Sequence, residues 1–172
     1  MLRSDLGPPV GTLFSSLGLA DADLEDAVTA YRSFYGEHGL QRASVYPGVR
    51  ELLDALAARG LLLATATAKL TPVARAILEV HGLAAHFTVV NGTDATHHTK
   101  TETLTRTLEL LGAPDPASVV MVGDRHSDIA AAQACGVVSV GVRWGYGTRD
   151  ELEATGADHL VDSPAELLSL LC

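Results

Sequence analysis

The feature that most limits what this chain can fold into is the stretch of residues 119–128, Val-Val-Met-Val-Gly-Asp-Arg-His-Ser-Asp. Four apolar residues run into Gly123, and carboxylates follow at Asp124 and Asp128. A short apolar run closed by glycine reads as a strand buried on both faces, the kind from which parallel sheets are built. In an open α/β sheet, chemistry gathers just beyond the carboxyl ends of such strands. Asp124 is therefore expected at a strand tip, and Asp128 in the first turn of a helix over residues 127–135. Oxygen donors so placed suit a hard cation such as Mg²⁺, which takes one or two carboxylates with water and substrate phosphate. The same residues read equally well as a loop aspartate and an aspartate set against a helix dipole, which needs no metal. The rest of the chain separates these readings.

Tyr46-Pro47-Gly48 marks a boundary, and beyond it helical and extended patterns alternate. A helix over residues 49–59 carries Val49, Leu52, Leu53 and Leu56 on one face and stops at Gly60. Residues 61–67, Leu-Leu-Leu-Ala-Thr-Ala-Thr, read as a buried strand with hydroxyls at its end. Thr71-Pro72 opens a helix with proline at its first position. A strand follows at 87–90, then a helix begun by Thr99 or Thr101 with Leu104, Leu108 and Leu111 in register. After the strand at 119–122 and its helix come a strand at 137–142 and a small one at 159–161. Thr148 with Glu151, and Ser163 with Glu166, are spaced as capping boxes on two further helices. Strands separated by helices mean βαβ units, so the expected fold is α/β, a Rossmann-like parallel sheet with helices on both faces. Residues 1–46 carry only helical signals: an opening at Gly7-Pro8-Pro9, then a stripe of Leu24, Val28, Tyr31 and Tyr35 behind a cap at Asp21. Its aromatic rings read as packing rather than a binding box. The expected organisation is a small helical unit over 1–46 and an α/β core over 47–172.

Charge and composition exclude some functions. With a net charge of −9 and no basic run, a nucleic-acid backbone is not the expected partner. Two cysteines, Cys135 and Cys172, make no disulfide framework and suit a reducing compartment. The first residues lack the apolar region of a signal peptide, and no run approaches the ~18 apolar residues of a membrane span. The expectation is a soluble, cytoplasmic protein without membrane contact.

Several strand-end features can converge. The Thr67 hydroxyl can donate to an oxyanion, N–H groups from Ala68 into the next helix can add anion affinity, and Lys100 can supply a fixed positive charge. With Mg²⁺ on Asp124 and Asp128, these groups would clamp a phosphoryl group and neutralise charge as it develops. Singly, each has a plainer reading: a strand threonine, a solvated lysine. His97 and His98 lack a ligand set. His126, inside the acidic motif, is the one histidine whose position suggests a role.

Ala66-Thr67-Ala68-Lys69, Lys100 in Thr-Lys-Thr-Glu-Thr-Leu, and Gly123-Asp124-Arg125-His126-Ser127-Asp128 together resemble the second, third and fourth motifs of the haloacid dehalogenase (HAD) superfamily. The tail through Gly141-Val-Arg-Trp-Gly-Tyr-Gly147 and Gly156-Ala-Asp158 is similar to its phosphoglycolate-phosphatase-like branch, which carries a small helical cap. The resemblance implies a Mg²⁺-dependent phosphomonoesterase acting on small phosphorylated metabolites, with Thr67, Ala68 and Lys100 on the phosphate and Asp124 and Asp128 on the metal. Phosphoglycolate, nucleoside monophosphates or inorganic phosphate are the ligands it leaves open. Family members begin with a strand ending in Asp-x-Asp-Gly-Thr, whose first aspartate is the nucleophile and a metal ligand. No such motif occurs here, so the resemblance implies a core lacking its first strand, a chain inactive alone, and weakly bound Mg²⁺. Two other readings stand beside it: a non-catalytic phosphate- or Mg²⁺-binding regulatory module, and a haloacid dehalogenase, against which the acidic fourth motif argues. The absent strand would lie between those at 61–67 and 119–122. Their facing edges are expected to pair with each other, or to be covered by N-terminal residues or by a second copy in a homodimer.

Overall fold

The computed structural model describes residues 10–39, 42–94, 97 and 99–172. Gly7-Pro8-Pro9, Ala95, Thr96 and His98 lie outside the described residues. The described part of the first 46 residues is mainly helical and holds no strand. Helix α1 (Val10–Ser16) packs on α2 (Asp21–Phe34), which continues as a wider turn through Tyr35–Gly39. Aromatic contacts hold this pair together: Phe14 meets Tyr31 edge-on at 6.0 Å, and Tyr31 stacks on Tyr35 at 5.8 Å. Helix α2 starts at Asp21 with Ala20 in the capping position and no side-chain cap, so Asp21 is not the cap that the sequence suggests.

From Val49 the chain alternates as expected: α3 (Val49–Ala58), β1 (Ala64–Leu70), α4 (Thr71–Val80), β2 (Val89–Thr93), α5 (Lys100–Leu110), β3 (Val120–Gly123), α6 (His126–Cys135), β4 (Val138–Val142), α7 (Arg149–Glu153), β5 (His159–Val161) and α8 (Pro164–Leu171). All strand pairs are parallel. Strand β1 begins three residues later than its apolar run because pairing begins with Ala64 opposite Val89. Strand β2 runs on to Thr93 because α5 holds it. Buried Asn91 donates from Nδ2 to the Thr103 carbonyl (3.0 Å) and to Thr107 Oγ1 (2.9 Å). Thr107 Oγ1 in turn donates to the Thr65 carbonyl of β1 at 3.1 Å. Every buried donor in this network has a partner, which is the condition under which buried polar groups stabilise rather than cost.

Two apolar clusters sandwich β3, β4 and β5. On one face Leu52 and Leu56 of α3 and Leu167 of α8 pack on Val140, Val142 and Val161. On the other, Leu104 of α5 and Ala131 and Ala132 of α6 pack on Met121 and Val137. The result is a parallel α/β fold with helices on both sides.

The sheet is divided. Strands β1 and β2 form one sheet, and β3, β4 and β5 form another in the order β3-β4-β5. The expected direct pairing of the 61–67 and 119–122 strands does not occur. Between β1 and β3 runs a slot of about 840 Å³, walled by residues 64–67 and 120–123, with α5 on one face and α3 and α8 on the other. Leu61 and Leu62, read from sequence as buried strand, line this slot and are exposed, Leu62 at 69%. Val120 and Val122, inside a strand that reads as fully buried, are 38% and 37% exposed for the same reason. The ladder shows which backbone groups face the slot. The Leu63 carbonyl accepts from Thr88, and the Val119 carbonyl accepts from Val138. Since backbone groups alternate sides along a strand, Ala64 and Ala66 on one wall, and Val120 and Val122 on the other, turn their N–H and C=O groups into the slot.

Amide hydrogen exchange should separate the two sets. The N–H groups of Ala64, Ala66, Val120 and Val122 are expected to exchange with little protection, and those of Thr65, Met121 and Val140 slowly, because only the latter lie inside a ladder. Equal protection on both sets, read by residue-resolved NMR, would mean that the edges are covered.

Candidate active site

The two strands walling the slot point their carboxyl ends at one mouth, where Thr67, Lys100, Gly123, Asp124 and Asp128 come together. Asp128 is at its centre, 5% exposed. Its Oδ2 accepts from the N–H groups of Asp124 (3.2 Å) and Arg125 (3.1 Å), and its Oδ1 pairs with Lys100 Nζ at 2.9 Å. Gly123 must be glycine for this to happen, since a Cβ there would land on the Asp128 side chain. Lys100 is the first residue of α5, and a complete capping box fixes that start: Thr99 Oγ1 accepts from the Glu102 N–H, and Glu102 Oε2 accepts from the Thr99 N–H. From there Lys100 Nζ also donates to the Ala66 carbonyl at 2.9 Å. One ammonium thus joins β1 to α6 across the slot.

Asp124 sits at the β3 tip under the loop Trp144-Gly-Tyr-Gly147. Its Oδ2 accepts from the Tyr146 N–H at 2.7 Å. The loop approaches so closely that a Cβ on Gly147 would strike the Asp124 carbonyl oxygen. Among the described residues Oδ1 of Asp124 has no hydrogen-bond partner. Thr67 Oγ1 accepts from the Lys69 N–H at 3.3 Å, which leaves its own proton to donate. The β1–β2 register slips between Thr67 and Leu70, a bulge that ends the strand beside the site. Ala68 lies in that irregular stretch, its carbonyl accepting from Thr93 Oγ1 at 3.1 Å, and is not among the residues lining the slot.

Two residues that sequence reasoning did not assign belong to this surface. Lys69 keeps some solvent exposure as a residue. The protein around its ammonium lowers its pKa, the Lys100 charge lowers it further, and Asp124 works in the opposite direction. The signal was its place beside Thr67 in the strand-end motif. The second is Glu151 of α7, whose carboxylate gathers the acidic loop from outside. Its Oε1 accepts from Arg125 Nε (2.9 Å) and the His126 N–H (3.0 Å), and lies 2.9 Å from the His126 ring. Burial alone would raise this carboxyl; the bonds from His126 and Arg125 outweigh it and bring the pKa down to about 2. His126 therefore orients the loop through Glu151. His97 instead contacts Asp94 at 3.0 Å, well within a local turn.

Among the described residues no three His, Cys, Asp or Glu side chains cluster as a metal site. The carboxylates at the mouth number two, a hard-oxygen set that fits Mg²⁺ with water and phosphate making up the shell. Asp124 has an oxygen ready for it, whereas both Asp128 oxygens are already engaged. In the helical pair, burial raises the Tyr35 pKa, with Tyr31 and then Tyr146 adding to the shift.

The parallel α/β fold thus brings threonine, lysine and an acidic pair to one mouth. The chain belongs to the haloacid dehalogenase-like hydrolase family, whose model matches residues 2–142. It is 39% identical over 152 residues to the tyrosine-protein kinase PtkA of Mycobacterium tuberculosis, 87% of this chain and 52% of that protein. The chain thus spans about half the length of this relative. It is 35% identical to the "probable phosphatase IndB" of Dickeya dadantii, covering 97% of this chain and 75% of that one. Among solved structures, a "predicted phosphatase" from Clostridium acetobutylicum superposes with a TM-score of 0.91 at 30% identity, over 98% of this chain and 79% of the other.

Asp128→Ala should be among the most damaging substitutions in the core, at about 3–5 kcal/mol, because it strands a mostly buried ammonium and two loop N–H groups. Urea unfolding measures it. Glu151→Gln should destabilise at pH 7, and by an amount that depends on acid. The Glu151 carboxyl ionises near 4.5 in the unfolded chain and near 2 in the fold. Its contribution is thus fully present above about 4.5 and lost as pH falls toward 2. The gap in stability between the two proteins should close over that window in thermal melts, and a gap constant down to pH 2 would contradict the assignment.

Proposed function

We propose that this chain carries the phosphate- and Mg²⁺-binding side of a phosphomonoesterase acting on small phosphorylated metabolites, and that it does not turn over alone. The observation that supports this is the meeting of Thr67, Lys100, Asp124 and Asp128 at one mouth. Thr67 would donate its hydroxyl to the phosphoryl oxygens. Lys100 would supply the charge that stabilises them, moving part of its interaction from Asp128 to the substrate. Asp124 and Asp128 would hold Mg²⁺, which neutralises charge on the transferring group. Ala68 N–H at the bulge and the start of α4 extend the anion site. The helices of residues 1–46 act as a small cap, with Tyr35 and Tyr146 restricting the substrate to a small one.

The mechanism also needs a carboxylate within ~3–3.5 Å of phosphorus, in line with the leaving oxygen. Among the described residues, the carboxylates lining the slot are Asp124 and Asp128 alone, and both are tied to the metal side by Tyr146, Lys100 and the loop N–H groups. The likeness to PtkA supports a second reading, in which the phosphoryl group passes to a tyrosine hydroxyl rather than to water. Both readings use the same clamp and differ in the acceptor.

Steady-state assays with p-nitrophenyl phosphate, phosphoglycolate and nucleoside monophosphates test the proposal. The 172-residue chain with Mg²⁺ should stay at background. A form extended on its amino side by a strand ending in Asp-x-Asp-Gly-Thr should turn over and lose activity on Asp124→Asn. Robust turnover by the shorter chain, abolished by Asp124→Asn, would identify another nucleophile and overturn the proposed inactivity.

A further inference from the structure

We propose that Asn91 is a deamidation site that the fold holds closed, and that its modification makes release of β2 from α5 and β1 irreversible. Asn91 is the one asparagine in the sequence, and glycine follows it. In such a pair no side chain shields the glycine nitrogen. That nitrogen attacks the asparagine Cγ and gives its proton to a base; the Cγ–Nδ2 bond breaks, and ammonia leaves behind a five-membered succinimide. Water then opens the ring at either carbonyl. The products are aspartate and isoaspartate, whose backbone runs through Cβ and is longer by one methylene.

The fold demands both members of the pair. At the bulge that ends β1, the Lys69 carbonyl oxygen stands where a Cβ on Gly92 would lie, so no larger residue fits. Asn91 supplies the two N–H donors that the Thr103 carbonyl and Thr107 Oγ1 accept. The chemical liability is therefore built into the joint.

While closed, the joint blocks the reaction. Asn91 is 6% exposed, out of reach of base and water. Ring closure needs the Gly92 nitrogen to swing round until it eclipses Asn91 Cβ, a rotation that the extended backbone of a paired strand excludes. The attacking N–H is itself engaged, donating to Thr71 Oγ1 at 2.9 Å. Thr65 Oγ1 holds the residue from the other side, donating to the Asn91 carbonyl (2.9 Å) and accepting from its N–H (3.0 Å).

Once β2 comes away and the amide is lost, the product cannot return. A carboxylate at this place turns oxygen toward the Thr103 carbonyl, which has no proton to give. It also faces Thr107 Oγ1, whose single proton is shared between the carbonyls of Thr65 and Thr103. The result is a buried charge without a donor, far costlier than the satisfied amide. Isoaspartate adds a slip in the β1–β2 register. Helix α5 begins at Lys100, so a modified chain also loses the seat from which that lysine reaches Ala66 and Asp128.

The full chain is aged at mildly alkaline pH with reductant, native in one arm and unfolded in guanidinium chloride in the other. Peptide mass spectrometry and isoaspartyl methyltransferase labelling read Asn91. Modification should run about ten-fold or more faster in the unfolded arm, because only the open fraction of the native protein reacts. On return to buffer, freshly unfolded chains should regain their near-ultraviolet circular dichroism. Aged chains should fail to do so in proportion to the modified share. Thr107→Val, which removes one partner of the Asn91 amide, should raise the rate in the native arm; if that variant does not fold, the comparison of the two wild-type arms decides alone. Equal rates in the two arms, or no modification of the unfolded chain, overturn the proposal. So do modified chains that refold as readily as fresh ones, which would remove the irreversibility.

Discussion

The ammonium of Lys100 is the interaction on which the arrangement depends. It donates to the Ala66 carbonyl of β1 and pairs with Asp128 at the head of α6, each at 2.9 Å. Ala66 belongs to one sheet and Asp128 to the helix that follows β3 of the other, and no backbone ladder links the two sheets. At 17% exposure for the Lys100 side chain and 8% for that of Asp128, the pair is largely withdrawn from solvent. A pair so placed holds only because its remaining valences are met, here by two loop N–H groups on the carboxylate and a carbonyl on the ammonium. Site and scaffold are therefore the same contact. Drawing Lys100 away from either partner would loosen the join between the half-sheets.

Much of the fold was legible because its signals are local. Thr99, Thr148 and Ser163 each cap the helix that their spacing announces, and the parallel strands follow from apolar runs divided by helices. Thr67, Lys100, Asp124 and Asp128 were legible as strand-end and helix-start residues. What escaped depends on contacts distant in sequence. Glu151 lies 25 residues beyond His126 and reads locally as half of a capping box; only the folded loop shows that its carboxylate also gathers Arg125 and His126. Lys69 stands in the quoted strand-end motif without an assigned role, and only the fold shows that the Lys100 charge, 31 positions on, helps to lower its pKa. The sheet was misread at Leu61 and Leu62 for a related reason. Hydrophobicity reports that a segment is suited to burial, and whether a neighbour covers it is a property of the whole sheet.

The half-sheets stay together because helices do what strand pairing does elsewhere. Helix α5 is bound to β1 and β2 through Asn91, Thr103 and Thr107, and to α6 and β3 through Leu104 and Met121. Helices α3 and α8 span the opposite face. Threonine is an indifferent helix former, its hydroxyl competing for backbone groups. In α5 that tendency is put to use: Thr103 and Thr107 are fully or almost fully buried, bonded to carbonyls of their own helix and, through Thr107, to β1. An all-leucine face would pack as well against apolar strands and would leave Asn91 with the backbone carbonyl of residue 103 as its one acceptor on α5.

Strand edges that no neighbouring strand covers leave apolar residues in the open: Val120, Val122, Leu61 and Leu62 are all exposed. At the mouth of the slot the close approach of Gly145 and Gly147 holds Asp124 under the Tyr146 N–H. Together with the bonds of Lys100, these contacts fix the polar mouth at the carboxyl ends of β1 and β3, above the apolar slot between them.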